Sequence, residues 1–302
     1  MKTYLLSQSV PLSYKLRFYF YSLRGILRPQ KFSHILPSLS NSYQFSIDDS
    51  LIEAWANLFN IPKSTGPLPF SYFWPLCVQS FHSFITQLKI NYRNILHFQT
   101  EITYFQKDYF LEPHKTYTLE TKLNGFYPLH KNGIVFLIMT TVLDSEKHPV
   151  VQQLESIFVK NISLPKDFIP SSIELSPPIK KPIRKSPLPH SRQTFFDPKM
   201  GIRYGLVSGD LNPIHTHKWL TKLFDYNKIF LQGMCTANFA MKTFICGENE
   251  AVRKLLISFS SPLFLGQNIQ IRYNNSHFQV LDESQKIVAY GSRELFAETK
   301  NS

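Results

Sequence analysis

The sequence predicts an α+β protein in which one architecture occurs twice, each copy an antiparallel sheet wrapped around a central helix. Two observations carry that prediction. The C-terminal half places one long apolar helix ahead of four strand-like runs, an order in which a sheet can bury the helix on its inner face. The N-terminal half repeats the same order with different residues.

In the C-terminal copy the helix reads GMCTANFAMKTFICG, where Met234, Ala237, Met241, Phe244 and Ile245 recur at helical spacing behind Gly233. The runs LLISFSSPLF, QNIQIRY, SHFQVLD and KIVAYGSRELF follow. Within the second, Ile269, Ile271 and Tyr273 alternate with Gln270 and Arg272, as in a strand with one face on a core. The N-terminal copy offers a strand YQFSID, a helix SLIEAWANLFNI and an apolar stretch PLPFSYFWPLCVQSFHSFITQL for its central helix. Strand-like ILHFQTEITYF, TYTLETKL, GIVFLIMTTVL and VVQQLESIFVK come next, with Ile134, Phe136 and Ile138 on one face. Between the copies, ISLPKDFIPSSIELSPPIKKPIRKSPLPHSRQ combines prolines with basic residues and has no apolar period, so it reads as an extended connector. The expected division is therefore 1–161, a connector at 162–193, and 194–302.

Composition narrows the classes of function. At 302 residues, 43% hydrophobic and 15% aromatic, the chain can bury a large core. Cys77, Cys235 and Cys246 are too scattered for a disulfide framework or a CxxC metal site and read as buried thiols. No run approaches the roughly 20 apolar residues of a spanning helix, and the N-terminus lacks a signal-peptide core. A cytoplasmic protein is expected, or a mitochondrial one if the acid-free stretch before Asp48 is a transit peptide. That basic stretch also fits an arm touching a membrane surface, or an ordered segment packed on the core. The net charge of +12 suits nucleic acid, anionic lipid or a phosphate-bearing coenzyme. Nucleic acid is disfavoured, because the basic residues are dispersed and no zinc-finger spacing or RNP-like signature occurs.

The chemistry concentrates in SGDLNPIH, Ser208 to His215. Gly209 permits a turn closed to other residues, and Asn212 with Pro213 initiates a turn that fixes chain direction before His215. A loop of this kind can bring Asp210 and His215 together, with Asn212 orienting either. A carboxylate and an imidazole sharing one water form an acid/base pair suited to adding water across a polarised double bond or removing it. Other readings stand beside this one. Asp210 could cap a helix starting near Lys218 while His215 merely packs. His215, His217 and Asp210 could ligate a metal, although no further ligand at suitable spacing completes a site. Ser208, His215 and Asp210 have the residue types of a triad but lack the GxSxG elbow. Tyr204 either closes the pocket or begins a short helix, and the remaining histidines show no pairing that spacing reveals.

From Tyr204 the chain reads YGLVSGDLNPIHTHKWLTKLFDYNKIFLQGMCTAN, which resembles the hydratase motif of the MaoC-like (R)-specific enoyl-CoA hydratases, a hotdog-fold family. The spacing from Asp210 to Gly233 is preserved, and ISFSSPLFLGQNIQIRY is similar to the family's strand, Pro-x-x-x-Gly turn and next strand. The resemblance implies that Asp210 and His215 activate water and that the backbone N–H of Gly233 binds the thioester oxygen. PLPFSY and GIVFLIMTTVL are similar to the degenerate first hotdog of two-repeat dehydratases, which implies a double hotdog with one active site per chain. Gln232 departs from the histidine common before the helix-starting glycine, which leaves open how that helix N-terminus is braced. The implied substrate is a trans-2-enoyl thioester of coenzyme A or acyl carrier protein, with no cofactor, and a homodimer is compatible with the family. Phe70, Tyr72, Phe73 and Trp74, at the start of the N-terminal central helix, are the candidate lining for an acyl tail. A hotdog thioesterase and a non-catalytic acyl-thioester binding protein are the rival expectations.

Overall fold

The structure is a computed structural model that describes residues 3–6, 20, 24–27, 38–62, 72–107, 111–129, 133–162, 188–222, 226–248 and 251–296. The N-terminal repeat comprises β1 (Thr3–Leu6), β2 (Ser40–Ile47), α1 (Asp49–Phe59), α2 (Trp74–Gln87), β3 (Ile95–Tyr104), β4 (Tyr117–Pro128), β5 (Gly133–Leu143) and β6 (Pro149–Lys160). In the C-terminal repeat, β7 (His190–Phe196) leads into α3 (Met200–Ser208), α4 (Pro213–Thr216), α5 (Lys218–Thr221) and α6 (Gly233–Glu248). The strands β8 (Val252–Phe259), β9 (Gln267–Tyr273), β10 (His277–Leu281) and β11 (Ile287–Leu295) complete it.

The two expected sheets are joined into one of eleven strands, ordered β1-β2-β4-β5-β6-β3-β8-β11-β10-β9-β7. Read outward from the β3–β8 seam, each side has the same sequence of elements, which makes the fold a double hotdog. The join has a physical reason. Each repeat alone would leave β3 or β8 as an edge with unpaired backbone groups, and pairing them antiparallel, from Gln99 opposite Ser258 to Thr103 opposite Lys254, satisfies both. Side chains reinforce the seam: Gln99 Nε2 donates to Ser258 Oγ at 2.8 Å, and Lys254 Nζ lies 3.0 Å from Glu101 Oε1. At the outer N-terminal edge β1 runs parallel to β2, so the sheet is mixed.

One boundary differs from the sequence expectation. β7 begins at His190, inside the stretch read as connector, whose residues 163–187 lie outside the described residues. HSRQTFF forms an edge strand pairing only with β9, with most residues exposed, so it carries no apolar alternation by which it could be recognised.

The helices are held by contacts that cross between the repeats. α6 buries Met234, Cys235, Ala237, Ala240, Met241 and Phe244, apolar on every side because sheet and helices surround it. α1 starts at an Asp48 cap, whose Oδ1 accepts the Leu51 N–H at 3.0 Å. Its Trp55 and Phe59 rings stack at 5.5 Å and meet Tyr204 of α3 and Phe239 of α6 edge-on. Tyr204 therefore neither begins a helix nor closes a pocket; it sits in the middle of α3, fully buried in this cluster. The consequence for the site is that α1 of one repeat fixes α3 of the other, and α3 delivers the polar loop.

Candidate active site

The loop after α3 is a chain of short-range hydrogen bonds, which explains its residue types. Gly209 adopts φ 76°, the left-handed conformation of a helix C-cap, and its N–H reaches the Gly205 carbonyl at 3.0 Å. Ser208 Oγ then accepts the Asp210 N–H at 3.2 Å, Asp210 Oδ1 the Asn212 N–H at 3.4 Å, and Asn212 Oδ1 the Ile214 N–H at 3.3 Å. Asn212 is thus the N-cap of α4, with Pro213 at its first position. Helix capping in this loop belongs to Asn212, whereas α5 starts from His217 without a side-chain cap, so Asp210 does not cap the helix at Lys218. Ser208 is fully buried and committed to the loop backbone, which removes the triad reading.

Gln232 answers the bracing question. Its Nε2 donates to the Gly201 carbonyl at 3.0 Å and the Asp210 carbonyl at 3.1 Å, tying α3, the loop and the start of α6 together. As the first residue of α6, Gly233 has no carbonyl one turn earlier to receive its N–H, so that donor is open to a ligand.

His215 sits on α4 with Nδ1 2.8 Å from the Phe230 carbonyl and its ring edge-on to Phe230. That bond assigns the proton of the neutral ring to Nδ1 and leaves Nε2 as the basic nitrogen. Burial lowers the His215 pKa, opposed by Asp210 and the Phe230 carbonyl, with His97 lowering it further. A neutral base at neutral pH results.

Asp210, Asn212, His215 and Gly233 line one cavity of about 340 Å³. Its far walls come from the N-terminal repeat and are largely apolar, including Trp74, Val78, Phe81 and Ile157. Of the aromatics proposed for the tail, Trp74 reaches the cavity. Tyr72 and Phe73 are fully buried away from it, Tyr72 against Trp55, because the turn before α2 directs them into the core; Phe70 lies outside the described residues. For the metal reading, His217 Nδ1 is taken up by Thr216 Oγ1 at 2.7 Å, and among the described residues no three His, Cys, Asp or Glu side chains form a metal-binding group.

Among the polar cavity residues that escaped the sequence reading, His97 on β3 and Glu155 on β6 are paired. Their one legible signal is a carboxylate placed within the apolar strand QLESIF.

Residues 176–294 match the family model described as the MaoC like domain. This part of the chain is MaoC-like. The MaoC-like part includes the whole polar loop and α6. Over 158 residues the chain is 23% identical to the probable enoyl-CoA hydratase 2 of Dictyostelium discoideum, covering 51% of this chain and 52% of that protein. The match thus spans about half the length of that curated relative. A MaoC-like dehydratase from Phytophthora capsici superposes with a TM-score of 0.69 at 18% identity, over 90% of this chain and all of that one. The full-length peroxisomal multifunctional enzyme type 2 of Drosophila melanogaster gives a TM-score of 0.61 at 17% identity, over 85% of this chain and 48% of that one. At these identities the structural matches show the fold of this chain alone.

Proposed function

We propose that this protein is a hydro-lyase that interconverts trans-2-enoyl and (R)-3-hydroxyacyl thioesters, with one active site per chain. The observation carrying the proposal is the convergence of Asp210, His215 and Gly233 on one cavity whose remaining walls are mostly apolar. In the hydration direction His215 Nε2, kept neutral by burial, takes a proton from water as the water oxygen bonds to C3. The displaced electron pair moves onto the thioester oxygen, which the Gly233 N–H holds. Collapse of that enolate with proton delivery to C2 from the Asp210–His215 pair completes the addition and restores both groups. The family resemblance supplies the (R) configuration and the thioester; the carrier is coenzyme A or acyl carrier protein. The apolar N-terminal walls suit the acyl tail.

The test is loss of enoyl-thioester absorbance on adding protein to crotonyl-CoA and to a longer enoyl-CoA. Wild-type protein should hydrate both, and Asp210→Asn should lower turnover by about 100- to 10,000-fold, the range for a positioned acid/base group. Release of free thiol from acyl-CoA without hydration would make the protein a thioesterase. Binding of crotonyl-CoA with neither reaction would make it a carrier.

A further inference from the structure

Facing the hydratase loop, the cavity holds a polar pair that the mechanism above leaves unused. His97 Nε2 contacts the Glu155 carboxylate and lies 2.7 Å from Thr100 Oγ1, which itself donates to Glu155 Oε2 at 2.9 Å. The Gln153 amide donates to the other carboxylate oxygen. Glu155 is buried among these donors, while the His97 side chain retains 22% exposure, directed into the cavity wall. A buried carboxylate costs several kcal/mol unless it is paired and hydrogen-bonded. Here His97 and Thr100 share one carboxylate oxygen and Gln153 holds the other.

The other ring nitrogen points at the start of α6. A Cβ added to Gly233 would stand 3.0 Å from His97 Nδ1 and 3.1 Å from the Phe259 ring, whose centroid is 4.8 Å from the imidazole. A side chain at 233 would therefore crowd His97 and Phe259. The space a side chain would take adjoins His97 Nδ1.

Resting on the hydratase reading, we propose that His97, ion-paired with Glu155, donates Nδ1–H to the thioester oxygen and completes with the Gly233 N–H a two-donor oxyanion site. The N-terminal repeat then supplies a catalytic residue. With Nε2–H directed at the carboxylate, this role requires the second ring proton on Nδ1, its charge balanced by the Glu155 carboxylate. No proton leaves His97 during turnover; it strengthens its hydrogen bond as charge builds on the oxygen.

The experiment compares binding of butyryl-CoA with that of S-butyl-CoA, a thioether without the carbonyl oxygen, by calorimetry, alongside crotonyl-CoA turnover. Wild-type protein should prefer the thioester by roughly tenfold, the worth of one hydrogen bond to a charged donor. His97→Gln should lose most of that preference, leave S-butyl-CoA affinity unchanged and lower kcat by about 100- to 1,000-fold, the effect of removing an oxyanion donor. Glu155→Gln, which keeps the shape, should move the same quantities in the same direction by less and serves if His97→Gln does not fold. A preference that survives in the folded variants overturns the inference, as does its absence in wild type. Protein that shows the preference and loses it in His97→Gln, yet hydrates no enoyl-CoA, keeps the carbonyl site and discards the hydratase reading instead.

Discussion

The two central helices hold equivalent places in the two repeats and begin in opposite ways. α6 starts with Gly233 after Gln232, presenting a bare amide to the cavity under a braced loop. α2 starts with Trp74 and Pro75, with no side-chain cap, a bulky ring where α6 has no side chain, and a proline that has no N–H to offer. The same position thus yields a donor site in one repeat and an apolar wall in the other. A duplicated fold can divide labour in this way because each central helix N-terminus opens on the shared cavity. Substitutions there decide whether a repeat contributes polar groups or surface. His97 and Glu155 qualify the division, since the repeat without the hydratase loop still supplies a histidine paired with a carboxylate.

The comparison is tested hardest at the loop. His215→Ala should match Asp210→Asn in lowering kcat by about 100- to 10,000-fold, and the double variant should be little worse than either single, because the two groups act on one water. Rates that multiply would mean that the residues work at separate steps.

A smaller effect is expected where the repeats are clamped. Phe59→Ala removes a ring packed on Trp55, Tyr204 and Phe239 and should cost about 3–5 kcal/mol in urea denaturation. A single cooperative transition is expected in both proteins, since the core and the sheet are continuous across the repeats. Two resolved transitions would show that the halves fold separately.

Next comes the division between walls and chemistry. Each buried methylene contributes roughly 0.8 kcal/mol, so the specificity constant should rise about tenfold for two added carbons until the cavity is full. Val78→Phe, on an N-terminal wall, should flatten that rise while leaving crotonyl-CoA within a few-fold. An unchanged chain-length profile would remove the acyl tail from the N-terminal repeat.

The smallest effect concerns the half-buried His82 of α2, beside Tyr92; desolvation lowers the His82 pKa from 6.5 to about 4. Below pH 6.5 the unfolded chain takes up a proton that the folded protein refuses, so this residue's contribution to stability is full above 6.5 and is lost as pH falls toward 4. His82→Gln should reduce the decline of the urea midpoint across that window. An identical decline would assign it to other groups.

The sequence by itself determined what depends on near neighbours. The Gly209 cap, the Asp210–Asn212–Ile214 bonds and the Pro213 start of α4 all run between residues two to four apart, so the loop's geometry is written in its own eight residues. The helical spacing of α6 and the alternation in β5 and β9 set the element order for the same reason. Tertiary structure decided which groups meet across the chain. The fused sheet depends on two edges finding each other, and the aromatics before α2 part company, Trp74 to the cavity and Tyr72 and Phe73 to the core. His97 is the clearest case. An irregularity in β3 between His97 and Gln99 breaks the period-two pattern, so His97 and Thr100, on opposite faces of a regular strand, reach the same carboxylate. That carboxylate arrives from β6, and Gly233, which His97 faces, arrives from the other repeat. Local chemistry fixes a loop because its hydrogen bonds close within a turn, whereas a site assembled from β3, β6 and α6 exists only once the sheet has set their registers.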